Sequence, residues 1–372
     1  MVLTRRSFLS CGAAITISIG CGGKLVLDRS AALDLGLDQR VQDIIYYASL
    51  APSGHNTQPW LVEIEAGEFR LQGRMTVRLD SSRALPAVDP TLRETCISIG
   101  AFIENLVRAF DAYGYSTELS FNEQLDASAE NPIVVEIVYA QTASHLPRIQ
   151  ALELMAKRHS DKSEYLDKPI CTSSLAQLSG QFPELSCYEK GSTGFDWLKT
   201  ATLDANIVQA ADLAKRAELA QWLRFSDEEA TEKADGLPAE QLGLSGIIKT
   251  LYYWTTDRES AQSDKFAQQG VDMAKNALDH CAAFFVLTGG SGSYEAVLTG
   301  RRVQAFWLAA TELGISLGPM SQALEEILWA SKIDSELGLE QPAQMLFRAG
   351  YVENYGENNR IRRPVSAYCT QL

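Results

Sequence analysis

The chain has 372 residues, 46% of them hydrophobic and 22% charged, an ordinary globular balance whose length suits two domains or one domain built twice. A formal net charge of −14 argues against nucleic acid or an anionic membrane as the main partner. Seven scattered cysteines form no CxxC pair, and His55, His145, His159 and His280 sit at no ligand spacing, so neither a disulfide framework nor a metal site is expected.

The first residues read as an address. Thr4-Arg5-Arg6-Ser7-Phe8-Leu9 precedes "FLSCGAAITISIG", an apolar run too short to span a bilayer. The stretch resembles a twin-arginine export signal; an ordinary secretory signal that starts with two arginines is the alternative. "SIGC", ending at Cys21, resembles a lipobox, with Ser18 where leucine is more usual. Residues 1–21 are therefore expected to be a signal peptide. The body would be periplasmic, free or anchored through a lipid at Cys21.

"VQDIIYYASLA" spaces its apolar residues like an amphipathic helix, and "WLVEIEAGEFRLQG" reads as strand, Gly-Glu turn and strand. Between them lies "LAPSGHNTQPW". Its Ser53, Asn56, Thr57 and Gln58 exceed what a connector needs and suit a hydrogen-bonding surface. Next, "GAFIENLVRAFDAYGYS" (100–116) matches "GRRVQAFWLAATELGIS" (300–316) in glycine spacing. Each predicts a core-facing helix, through Phe102, Ile103, Leu106 and Phe110 or Val303, Phe306, Trp307 and Ala310, ended by Gly114 or Gly314. Chance and internal duplication both account for this. "PIVVEIVYA" and "CAAFFVLTG" are buried-strand patterns, one in each half. A hairpin, long helices and isolated strands in mixed order predict an α+β fold.

"AKRHSDKSEY" (156–165) gathers Lys157, Arg158, His159 and Lys162 around Ser160 at a helix end. That is the pattern of a solvated C-terminus or of a phosphate contact. The stretch 211–270 reads as a polar helical insertion that ends in "GIIKTLYYWTT". Tyr252, Tyr253 and Trp254 there suit core packing or a lid over a planar ligand. "FFVLTGGSGSYEAV" lacks the third glycine of a dinucleotide fingerprint and any GKS or GKT, so Gly289–Gly292 reads as a turn. The C-terminal "NNRIRRPV" adds Arg360, Arg362 and Arg363. Two cationic clusters in an acidic chain suggest a small anionic ligand.

Together these motifs resemble the FMN-dependent nitroreductase family. "APSGHNTQPW" resembles its APSxxNxQPW loop, "KRHSDK" its RxSxR/K motif, and "LAATELGISLGPMSQ" (308–322) the helix and Gly-Pro loop beside the isoalloxazine ring. The order of the first two is reversed here, which resembles the internally duplicated Acg-type branch, over residues 37–365. The resemblance implies a nitroreductase-like fold repeated within one chain, a pseudo-dimer of mostly antiparallel sheets flanked by helices. The first half would span 37–145 and the second 146–372, with the insertion at about 211–270. No second NxQPW survives around "AELAQWLRFS", so one FMN is implied and a monomer is expected.

By the same resemblance, Pro52, Ser53, Asn56 and Gln58 would contact the flavin from the first half. Arg158, His159, Ser160 and Lys162 would hold phosphate and ring-side groups. Gly318, Pro319 and Met320 would line the ring, and Arg360 or Arg362 would complete the phosphate site. No side chain is expected to act as the catalyst, because the chemistry belongs to FMN. The implied activity is ping-pong transfer from a small-molecule donor to a nitro, quinone or similar acceptor. Outside the cytoplasm NAD(P)H is scarce, so a membrane quinol or redox protein would serve as donor. The alternatives are an FMN-sequestering protein with a lid, and an exported lipoprotein that keeps the fold without the cofactor.

Overall fold

The computed structural model describes residues 39–65, 72–142, 147–356 and 361–372. The expected signal peptide with Cys21, the Gly-Glu turn, His145 and Arg360 lie outside the described residues. Helix α1 (Gln39–Ser49) buries Val41, Ile44, Ile45 and Ala48, the stripe of an amphipathic helix. The polar loop follows, then strands β1 (Trp60–Ile64) and β2 (Gln72–Leu79), whose buried positions alternate as a half-buried sheet requires. Helix α2 (Arg93–Ala112) leads to β3 (Tyr115–Phe121) and β4 (Ile133–Gln141).

Helices α3 (Ile149–Lys157) and α4 (Thr172–Gln181) cross to the second sheet, which starts with β5 (Leu185–Glu189). Five helices intervene: α5 (Thr193–Ala211), α6 (Leu213–Trp222), α7 (Asp227–Lys233), α8 (Gly246–Thr255) and α9 (Asp264–Asp279). Then come β6 (Ala283–Thr288), α10 (Ser293–Glu312) and β7 (Ser316–Pro319). Three short helices, α11 (Gln322–Glu325), α12 (Ile327–Ala330) and α13 (Ile333–Leu337), precede β8 (Ala343–Gly350) and β9 (Cys369–Gln371). The fold is α+β.

The first sheet has the order β3-β4-β2-β1-β9 and the second β5-β6-β8-β7. Setting β9 aside, both are antiparallel and follow one path, with a long helix between the second and third strands. Even the irregularities correspond. The β2–β4 register shifts between Val77 and Arg78, and the β6–β8 register between Leu287 and Thr288.

Helices α2 and α10, each 20 residues long, pack on each other in the main core. Their backbones meet at two glycines. A Cβ on Gly100 would lie 2.0 Å from the Val297 carbonyl oxygen, and one on Gly300 would lie 2.1 Å from that of Ile97. The seam also holds Gln304 Nε2 donating to Asn105 Oδ1 at 2.7 Å, and Arg301 donating twice to Glu104 Oε2. The eight predicted face residues are all buried, and Gly114 and Gly314 carry the positive φ of C-terminal caps (84° and 72°).

Two chain segments exchange sides. After β4 the backbone N–H of Asp161 donates to the Leu317 carbonyl beside the second sheet. After β8 the chain returns, and β9 lies parallel to β1. Of the aromatic trio in α8, Tyr252 is buried against Phe225, while Trp254 is 85% exposed, so the trio does not pack as one unit on the main core. No helix among the described residues is long and apolar enough to cross a membrane. Cys96, Cys171, Cys187, Cys281 and Cys369 are free thiols.

Candidate functional site

The two halves and the inserted helices enclose a cavity of about 2070 Å³. The polar loop forms one wall. Its shape is enforced by backbone rather than by side-chain bulk: His55, Asn56 and Gln58 have φ of 46°, 54° and 54°, left-handed values unusual for such residues. Ser53 Oγ accepts from the Gln58 N–H at 3.0 Å and closes the turn. Pro52, Ser53, His55 and Asn56 line the cavity.

The opposite wall is the extended run after α3. Arg158, His159, Ser160 and Lys162 line the cavity, while Asp161 turns away and accepts from Ser316 Oγ at 3.0 Å. Arg158 is buried. Its Nη2 donates to the Leu50 carbonyl at 2.7 Å, and its guanidinium lies 4.5 Å from the Trp307 ring centroid. Arg362, from the returning C-terminal segment, donates to the carbonyls of Ser49, Leu50 and Ala51 and, at 3.1 Å, to Asn56 Oδ1. The end of α1 thus presents its carbonyls, the negative pole of the helix, to two arginines. Burial, then repulsion from Arg362, brings the Arg158 guanidinium down to about 9. Lys162 is exposed on the cavity side, and the desolvation of its ammonium, together with Arg348, brings it down to about 8.

Three expected flavin contacts are placed elsewhere. Gln58 is fully buried; Nε2 donates to the Ala234 carbonyl at 2.9 Å and Oε1 accepts from the Arg363 N–H, also at 2.9 Å. Gly318 faces Arg348, Asp161 and Tyr165, and Met320 belongs to the core beneath α5. None of the three is among the cavity-lining residues, whereas Pro319 is. The physical reason is strand alternation and burial: β7 is the edge strand beyond β8, its Gly318 turns toward Arg348, and only its end reaches the cavity. Arg363 bonds the carbonyls of Gln58 and Trp60, tying the C-terminal segment to the loop.

Asn56 does more than line the cavity. Its Nδ2 donates to the Gly236 carbonyl at 3.1 Å, and Arg83 Nη1 reaches both the Thr57 carbonyl (2.7 Å) and Asp235 Oδ2 (2.9 Å). Asp235 also pairs with Arg224. The insertion is therefore latched to the polar loop at residues 234–236. The aromatic trio of α8 does not line the cavity; Lys215, Lys249 and Phe266 of the insertion do.

Sequence reasoning missed His55, Glu94 and Glu325 as site residues, and assigned Trp307 only to the core. His55 stood inside the quoted loop and Trp307 on the flagged helix face, but nothing marked the two glutamates, which meet only in the fold. All four line the cavity.

No family model matches the chain. Over 202 residues, 52% of this chain and 54% of the relative, it is 27% identical to PigM of Serratia sp., so the match spans about half of that protein. Over 323 residues, 84% of this chain and 85% of the relative, it is 22% identical to Rv3131 of Mycobacterium tuberculosis. Both are named as NAD(P)H nitroreductases. The chain is similar to nitroreductases. Among solved structures, the FMN-dependent nitroreductase NfnB of Mycobacterium smegmatis in complex with NADPH aligns with 55% of this chain and 87% of its own, at 15% identity and a TM-score of 0.32.

Proposed function

We propose that this chain is an FMN-dependent oxidoreductase of the nitroreductase family, in which two copies of one fold are fused around a single flavin. The observation that carries it is the pair of arginines, buried Arg158 and half-buried Arg362, converging on the Leu50 carbonyl at the cavity wall. Two adjacent cations that repel each other fit a phosphate, which would accept from both. The wall beside them is apolar, with Trp307, Val303, Ile97 and Pro319, and suits a planar ring. The shared strand path of the two sheets supports the fusion and, with it, a monomer.

Bound there, FMN would supply hydride or electron transfer from a small-molecule donor to a nitro, quinone or similar acceptor in a ping-pong cycle. The chain's own part is to position and to exclude water. Arg158 and Arg362 would fix the phosphate, with Ser160 as a further donor. Asn56 and Arg362 hold each other, so the loop and the phosphate site are set together.

A second reading, an FMN-sequestering protein, is favoured by the latch at residues 234–236, which holds the insertion against the loop. One experiment separates the two. The protein is loaded with FMN and its visible spectrum recorded before and after anaerobic NADPH, then dithionite. Bleaching by NADPH supports turnover. Bleaching by dithionite alone supports the sheltered ring or a different donor, and a protein that refuses FMN overturns both. We also propose export by the twin-arginine route, with lipidation at Cys21. Arg5→Lys with Arg6→Lys should abolish export, and normal secretion of that variant would point to another pathway.

A further inference from the structure

The cavity holds a second titratable group that the phosphate site does not use. Glu94 stands in the first turn of α2, and Glu325 ends α11 in the other half of the chain. Both line the cavity, and their carboxyl groups hydrogen-bond to each other across the seam. Two carboxyl groups can do so only if one keeps its proton, because a carboxylate accepts and does not donate.

The neighbours decide which one. Arg93 Nη2 lies 2.9 Å from Glu94 Oε1 as its ion-pair partner. Glu325 receives hydrogen bonds from two neutral donors, Ser321 Oγ on Oε1 and Gln209 Nε2 on Oε2, both at 2.7 Å. The nearby cation Lys215, on α6, is taken up by Glu326. Burial, then the Glu94 charge, pushes the Glu325 carboxyl up to about 8. Two buried polar atoms of residues in the same cavity lining, His55 Nδ1 and Gln322 Oε1, have no partner in the described structure. Burial brings His55 down to about 4, so its imidazole is neutral. The wall therefore offers neutral polar groups and one held proton.

We propose that Glu94 and Glu325 hold one proton between them and that Glu325 donates it to the oxygen of an uncharged acceptor bound in the cavity. The inference rests on the oxidoreductase reading, which supplies the reductant. Reducing a quinone to a hydroquinone takes one hydride, from the reduced flavin, and one proton. The Glu325 O–H bond breaks, its electron pair stays on the carboxylate, and an O–H bond forms on the acceptor. Bulk water then returns the proton to the pair. Reduction of a nitro group to a nitroso group and water has the same balance.

The test has two arms. In infrared spectra of the flavin-free protein, a protonated-carboxyl band should be present at pH 7 and titrate away near pH 8. It should vanish in Glu325→Gln. In Glu94→Gln, where Glu325 stays buried but has lost the like charge beside it, the band should titrate away at a lower pH than in the parent protein. An unchanged titration in Glu94→Gln overturns the pair. With flavin loaded, single-turnover reoxidation by a benzoquinone should slow above pH 8, and Glu325→Gln should slow it about 100-fold and flatten its pH profile. An unchanged rate and profile in that variant overturns the donation even if the band behaves as expected. A protein that never passes electrons to any quinone or nitro compound fails the oxidoreductase reading instead, and the donation falls with it, while the infrared result still stands.

Discussion

Residues 65–71 join β1 to β2, whereas residues 190–282 join β5 to β6, and the two sheets are otherwise strung along the same path. The frame of two sheets and two crossed helices is nearly symmetric, down to the register shift in each inner strand pair. What differs is the connection between the first two strands, short in one sheet and five helices long in the other. Loop length is cheap for stability when the added segment brings its own contacts, and here it brings a small core around Leu223, Ala220 and Ala261. The symmetric part fixes where the cavity sits; the asymmetric part contributes Lys215, Lys249 and Phe266 to its lining.

The symmetric part breaks most severely at its crossing point. Gly100→Ala and Gly300→Ala each place a methyl carbon about 2 Å from a main-chain oxygen of the facing helix, which cannot move like a side-chain tip. Each should cost at least about 4 kcal/mol, the range of exceptional substitutions. Denaturant midpoints of the two variants should fall by similar amounts. A tolerated Gly300→Ala beside a ruinous Gly100→Ala would mean that the crossing is not reciprocal.

The wall that carries Arg158 and Arg362 comes next. Arg158→Ala or Arg362→Ala should weaken FMN binding by at least about 2 kcal/mol, roughly 30-fold, the scale for removing one buried charged partner. Because both hold the same end of α1, the double variant should lose less than the sum. Retained affinity in Arg158→Ala, measured by flavin fluorescence quenching, would place the phosphate elsewhere.

The frame was legible because its signals are local. Glycine spacing and apolar faces marked α2 and α10, and alternation or buried runs marked β1, β4 and β6. The loop and the Arg158–Lys162 run were legible as unusual chemistry. The roles of Gln58, Gly318 and Met320 were not, since whether a residue faces a cavity or a core depends on partners far along the chain: Ala234 for Gln58, Arg348 for Gly318. The Glu94–Glu325 pair is the extreme case. Each is an unremarkable surface glutamate in sequence, and only the crossing of the halves brings them together.

The asymmetric part should come loose at its latch. Asp235 is buried between Arg83 and Arg224, and breaking a buried ion pair on one side costs about 3 kcal/mol. In Asp235→Ala, amide exchange should accelerate over residues 213–256 while α2, α10 and the sheets stay protected. If the sequestering reading holds, the same variant should make bound flavin reducible by NADPH. Exchange that accelerates evenly across both sheets would show that the insertion is integral to the frame rather than an addition to it.

The smallest effect is a slope of stability with pH. Glu325 is raised from 4.5 to about 8, so its stabilising contribution is complete below about 4.5 and is lost as pH rises through 8. His55 works in the other direction. It is lowered from 6.5 to about 4, so its contribution is present above 6.5 and lost as pH falls through 4. Between 4.5 and 6.5 the two oppose each other, and Asp89, raised to about 6 by burial and Glu94, adds to the Glu325 side in the lower part of that window. From 6.5 to 8 the Glu325 slope is the one these groups leave unopposed, a fall of at most about 1.4 kcal/mol per pH unit. Urea unfolding of Glu325→Gln should therefore be flat across that window where the parent protein declines. A decline that survives the substitution would assign the proton to a different group on the seam, and with it the charge that links the two halves.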